Sequence, residues 1–159
     1  MSTFTDKDYP ALVPYLVVKG AANAIEFYKA AFGAQERYRL SATGSDIVGH
    51  AELTIQGQVI MLAEEMPGRN TSPTTLKGTT TTFCLMVANA DEAFARAVAA
   101  GGTATMPPCD MFYGYRMAMV SDPFGHQWMI QHHLRNVSVE EMLKSWNEMA
   151  GQCSEPKKT

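Results

Sequence analysis

The sequence predicts an α+β protein built from two βαβββ modules and a C-terminal helix. The prediction rests on an internal repeat, on the hydrophobic period within each copy, and on an amphipathic stretch after the second copy. "PYLVVKGAANAIEFYKAAFG" and "TFCLMVANADEAFARAVAAGG" align Val18 with Val87, Ile25 with Phe94 and Gly33 with Gly102, each pair 69 positions apart. "GQVIML" and "GHQWMI" align Gly57 with Gly125, Ile60 with Trp128 and Leu62 with Ile130, each pair 68 apart. One offset held to within a residue through both halves marks a duplicated unit.

The first module covers about residues 10–66. A strand at "PYLVV" leads into a helix from about Ala22 to Phe32, whose residues Ile25, Tyr28 and Phe32 share a face. Gly33 takes the left-handed conformation that ends it. "IVGHAELTIQ" and "QVIMLAEE" then form a hairpin around Gly57. "MPGRNTSPTTLKG" reads as a linker. The second module covers about residues 79–133. Asp91 is the expected N-cap of its helix. Phe94, Ala97 and Val98 are the expected stripe, and Gly101–Gly102 the end. "YRMAMVSD" and "HQWMIQHH" flank "DPFG", where Pro123 presets a turn torsion and Gly125 supplies freedom. In the tail, residues 138–159, Ser138 and Glu141 form a capping box. Val139, Met142, Leu143, Trp146 and Met149 keep a helical stripe that Gly151 ends, with a frayed remainder after Cys153. This helix is expected to pack on its own domain, with packing on a partner subunit as the alternative.

Composition limits the function. Apolar residues make up 46% and charged residues 18%, enough for a core without staples. The net charge is −3 and no basic run occurs, which speaks against nucleic acid. Cys84, Cys109 and Cys153 form no C-x-x-C. The N-terminus lacks the pattern of a signal peptide, and no apolar run reaches membrane-spanning length. The expectation is a soluble, cytoplasmic protein. No nucleophile elbow, phosphate loop or dinucleotide fingerprint is present.

"PYLVVKGAANAIEFYKAAFGA", "GHAELTIQGQVIML", "VANADEAFARAVAAGG" and "FYGYR" followed by "DPFGHQW" together resemble the vicinal oxygen chelate superfamily, the glyoxalase/bleomycin-resistance/dioxygenase fold. "HAEL" and "MLAEEMPG" are most similar to its PhnB-like branch. The resemblance implies that residues 1–137 form one such domain, with two curved sheets closing into a cup. The modules pair within a chain or across a homodimer, and a homodimer is expected. It also implies a divalent ion, held in many members by His and Glu from four strands, which acts as a Lewis acid.

The four positions that the resemblance assigns to that ion are Val13, Met61, Thr82 and Met129. Val offers no donor, Thr is a poor one, and thioethers suit copper(I) better than zinc, nickel, magnesium or iron(II). The expectation is therefore no family metal and no cofactor. Strand alternation sends Thr82, Cys84, Met86 and Met129 into the cup, away from Phe83, Leu85, Val87, Trp128 and Ile130. It likewise sends His50, Glu52 and Thr54 away from Ala51, Leu53 and Ile55. His126, His132 and His133 cannot converge on one ion, because adjacent strand residues point apart; His126 is expected to cap local backbone. His50 and Glu52 could bind a polar group, shuttle a proton, or form an internal hydrogen bond. Cys84 reads as a buried inert thiol. The expected small-molecule ligand site comprises Tyr15, His50, Glu52, Met61, Thr82, Cys84, Tyr113, Arg116 and Met129. Phe112 and Tyr115 stand beside it, and Arg116 is expected to meet a carboxylate or phosphonate. An enzyme built around His50 and Glu52 is the alternative.

Overall fold

The computed structural model describes residues 4–153. The first module consists of β1 (Tyr15–Val18), α1 (Ala21–Phe32), β2 (Gln35–Ser41), β3 (Val48–Ile55) and β4 (Gln58–Glu64). The second consists of β5 (Thr82–Met86), α3 (Ala90–Ala99), β6 (Thr103–Asp110), β7 (Tyr115–Ser121) and β8 (Gln127–His133). Each sheet is mixed: β1-β4-β3-β2 and β5-β8-β7-β6, with only the first pair of each order parallel. The fold is thus α+β, two βαβββ modules and a C-terminal helix, α4 (Val139–Cys153). The linker contains one helical turn, α2 (Pro73–Leu76), capped by Ser72.

The alternation predicted from sequence decides which sheet face is covered. Leu16, Val18, Ala51, Leu53, Ile55 and Leu62 form the core under α1, where the ring of Trp128 packs against Tyr28 and Phe32, and Leu85 and Ile130 join the same core. The modules meet through α1 and α3, and their inner faces share one core. Burying these side chains supplies the main drive for folding. On α3 the buried residues are Ala90, Ala93 and Ala97, while Phe94 is only partly buried and Val98 is exposed. The expected Phe94–Val98 stripe is therefore corrected: small residues let α3 approach α1 closely.

The helix N-termini show how the repeat was reused. The Glu64 carboxylate accepts hydrogen bonds from Gly20 N (2.8 Å) and Ala21 N (2.7 Å) at the start of α1. At the equivalent position 68 residues on, His132 Nδ1 accepts from Ala90 N (2.9 Å) at the start of α3. Both satisfy amide groups that the helix itself leaves unpaired. The N-cap of α3 is Asn89, not Asp91; its side chain accepts from Asp91 N and Glu92 N. Asp91 lies within the first turn and pairs with Arg116.

The motif "DPFGHQW" joins the modules. Asp122, 4% exposed, accepts from Phe124 N, His126 N, Trp128 Nε1 and, across the module boundary, Tyr28 Oη at 2.8 Å. His126 does not cap local backbone: its Nε2 reaches the Val17 carbonyl in the other module at 3.2 Å. Burial holds the His126 imidazole below its ordinary value of 6.5, against the opposing pull of Asp122 and the Val17 carbonyl. Well above pH 6.5 neither the folded nor the unfolded chain protonates this ring appreciably. As pH falls through 6.5 the unfolded chain takes up the proton first, so stability is lost until the lower folded pKa is reached. Urea unfolding across that window should show this slope, and His126→Gln should abolish it.

α4 departs from expectation. Its start is held by Ser138, whose hydroxyl accepts from Glu141 N at 3.1 Å, as the capping box requires. The helix runs past Gly151 to Cys153, and the predicted frayed tail lies outside the described residues. Its stripe is not buried against its own domain: Val139, Leu143 and Trp146 are each more than half exposed. No helix among the described residues is long and apolar enough to cross a membrane.

Candidate functional site

Seven of the nine expected site residues lie on the sheet faces opposite the helices, and they form two groups. Tyr15, His50, Glu52 and Met61 belong to the first sheet, where Met61 is the register partner of both Tyr15 and Glu52. Thr82, Cys84 and Met129 belong to the second, where Cys84 pairs with Met129. Among the described residues no hydrogen bond joins the two groups.

On the first sheet Glu52 points away from the core, as predicted, yet is only 1% exposed. Tyr9 and Tyr38 cover it, donating at 2.9 and 2.7 Å to its Oε1. Arg37 Nη1 lies 2.9 Å from Oε2, close enough for charge attraction but not aligned as a hydrogen bond. The Arg37 guanidinium sits over the rings of Phe4 and Tyr9, and Phe4 stacks on Tyr38. A buried carboxylate needs such compensation. Burial and the Glu52 charge push the Tyr38 and Tyr9 phenols above the usual range. Glu52 is thus saturated from within. Tyr9, Arg37 and Tyr38 were missed by the sequence reading. Tyr38 shares its strand face with His50, so alternation along "ERYRL" was the available signal.

His50 links this network to solvent. Tyr15 Oη lies 3.0 Å from His50 Nδ1, and Tyr38 Oη lies 3.4 Å from Nε2. Because Tyr38 donates to Glu52, its oxygen is left to accept from Nε2–H, and Nδ1 is left to accept from Tyr15. The chain runs from half-exposed Tyr15 inward to Glu52.

On the second sheet Thr82, Cys84 and Met86 are exposed, with Leu85 buried on the other side, as predicted. A cavity of about 660 Å³ brings these three together with Leu12 and Val59 from the first module. Partial burial of the sulfur holds the Cys84 thiol above its ordinary value, the opposite of the shift that activates a nucleophile. Contrary to its expected burial, however, Cys84 is exposed to solvent. Arg116 is also corrected. Its guanidinium forks onto Asp91 of α3 at 2.6 and 2.8 Å and onto Asp110 at 2.7 Å, on the helix-covered side. These pairs occupy its guanidinium and brace the module. Tyr113 and Tyr115 instead line an open groove of about 870 Å³ with His133, Leu143 and Trp146. Gly114, at φ 87°, lets the chain pass beneath this loop, where its carbonyl accepts from Leu134 N and Arg135 N. A Cβ there would stand 2.2 Å from the Arg135 oxygen.

A family model described as the glyoxalase/bleomycin resistance protein/dioxygenase superfamily matches residues 10–130. The chain belongs to this superfamily. An uncharacterized protein of Mycobacterium bovis is 40% identical over 137 residues, which are 84% of this chain and 90% of that one. Among solved structures, TioX from Micromonospora sp. ML1 is similar at 27% identity and TM-score 0.63, covering 79% of this chain and 99% of that one. The PhnB protein of Bacillus cereus, at 19% identity and TM-score 0.58 over 77% and 99% of the chains, shares the fold.

The donors of this superfamily member do not fit a divalent ion. Met61 and Met129 are thioethers, and Val13 and Thr82 add neither imidazole nor carboxylate; Glu52, the other register partner of Met61, is the one carboxylate at hand, and its oxygens are held by Tyr9, Tyr38 and Arg37, while Cys84 beside Met129 is a lone thiol. Among the described residues no three His, Cys, Asp or Glu side chains converge as a metal site. The three histidines near the C-terminal strand do separate work: His126 ties the modules, His132 caps α3, and His133 stacks edge-on against Tyr115.

Proposed function

We propose that this chain binds a small organic molecule on the open faces of its modules and does so without the superfamily's divalent ion. The observation that carries the reading is the donor set at the four ligand positions, Val13, Met61, Thr82 and Met129. The walls that remain suit an organic ligand: methionine and aromatic surface with a few polar handles. Tyr15 and His50 are the handles on the first face, Thr82 and Tyr113 on the second. We also place the chain in the PhnB-like branch, on "HAEL" and "MLAEEMPG". A homodimer is part of the reading, because the open faces and the α4 stripe leave Tyr15, Met86, Leu143 and Trp146 uncovered in one chain.

A thermal-shift screen of drug-like aromatics and small organic acids tests this. Compounds that stabilise the protein should lose most of that effect in Tyr15→Phe or His50→Ala protein, while unliganded stability stays near wild type because both side chains are partly exposed. Stabilisation untouched by either change would place the ligand elsewhere.

The second reading is an enzyme centred on His50 and Glu52. It is favoured by the directed chain from Tyr15 through His50 and Tyr38 to Glu52, which can carry a proton from the open face inward. His50→Ala would then abolish turnover with the fold intact, and an unchanged rate would remove this reading.

A further inference from the structure

The open face of the second sheet is paved with sulfur. Directly paired residues on neighbouring strands share a face. Reading across the sheet, Cys84 pairs with Met129, Met129 with Met119, and Met119 with Met106. The next row reads Met86, Gln131, Met117 and Cys109. Seven of these eight positions carry sulfur, on all four strands.

Two of these sulfurs already converge. Gln131 Nε2 lies 3.2 Å from Cys84 Sγ and 3.4 Å from Met86 Sδ, so both sulfurs approach a single atom. This is a poor use of an amide. Sulfur is a weak acceptor, and the Oε1 of the same side chain is buried without a partner. Cys84 and Met86 are both exposed residues, and Gln131 Nε2 occupies the point their sulfurs share.

We propose that Cys84, Met86 and Met129 form a binding site for a soft monovalent d¹⁰ cation, copper(I), with Gln131 turning aside to admit it. A thiolate with two thioethers is a donor set that selects copper(I) over the hard and borderline divalent ions. Binding is a proton exchange with no electron transfer: copper(I) and the Cys84 thiol give a copper–thiolate bond and a proton released to solvent. Because the bound form is the thiolate, affinity rises with pH.

The test is anaerobic competition of the full chain against a chromophoric copper(I) chelator, with X-ray absorption on the loaded protein. The expected result is one copper(I) per chain in an all-sulfur shell. Cys84→Ser and Met86→Leu should each weaken binding by at least the roughly tenfold that even an outer-shell partner is worth. Both replacements are on the exposed side of an edge strand, and circular dichroism checks that they fold. Cys153→Ser is the control and should leave affinity unchanged. The proposal is overturned if the chelator keeps all the copper, if Cys84→Ser binds as tightly as wild type, if Cys153→Ser removes the site, or if the shell is nitrogen and oxygen.

Discussion

Asp122→Ala should destabilise the protein by about 3–5 kcal/mol in urea unfolding, because it strips four buried donors of their acceptor at once. The donors are Phe124 N, His126 N, Trp128 Nε1 and Tyr28 Oη. Two shape the turn, one fixes the large ring at the centre of the shared core, and one reaches across from α1. Trp128 stacks within 4.6 Å of Phe32 and 5.5 Å of Tyr28, so a loosened indole is felt in both modules. Tyr28→Phe removes only the crossing bond and should cost about 1 kcal/mol. The double variant should fall short of the sum of the two singles, since both changes act on one network. If Asp122→Ala were nearly neutral, the motif would not be the fastener described here.

Glu52→Ala should cost about 2–4 kcal/mol. Removing the carboxylate strands the Arg37 charge and leaves the Tyr9 and Tyr38 hydroxyls without their acceptor. The figure sits low in the range for a broken buried pair because the Arg37 side chain, 14% exposed, retains some access to water. His50→Ala removes a ring whose contacts lie nearer solvent, and should cost far less. The contrast is measurable by denaturant titration. It separates the two residues that alternation places side by side: Glu52 is a structural keystone, and His50 is the member free to act on a ligand.

That contrast also marks how far the sequence reached. The repeat, the alternation of Phe83, Leu85, Trp128 and Ile130 against Cys84 and Met129, and the failure of the histidines to converge were all legible, because they depend on local period alone. Three things were not. Arg116 was given to the ligand because a lone arginine near aromatics has no visible partner in sequence; its partner Asp91 is 25 residues away on α3. Glu52 was read as open because alternation tells which face a residue takes, not what covers that face. The cover, Phe4 and Tyr9, comes from a segment before the first module's strands. The α4 stripe was expected to find a home in its own chain, which periodicity cannot decide. His132 is the instructive case. Laid on Glu64 through the repeat, its role as a helix cap was in reach, since the same position serves the same helix end in both modules.

The central claim is that this superfamily member holds its ligand without a divalent metal. Elemental analysis of tag-free protein, purified without chelator, tests it most directly. The account predicts zinc, nickel, manganese and iron far below one ion per chain, and no uptake when each is titrated in. One such ion per chain, retained through dialysis and lost in His50→Ala protein, would contradict it and move the protein to the enzyme reading.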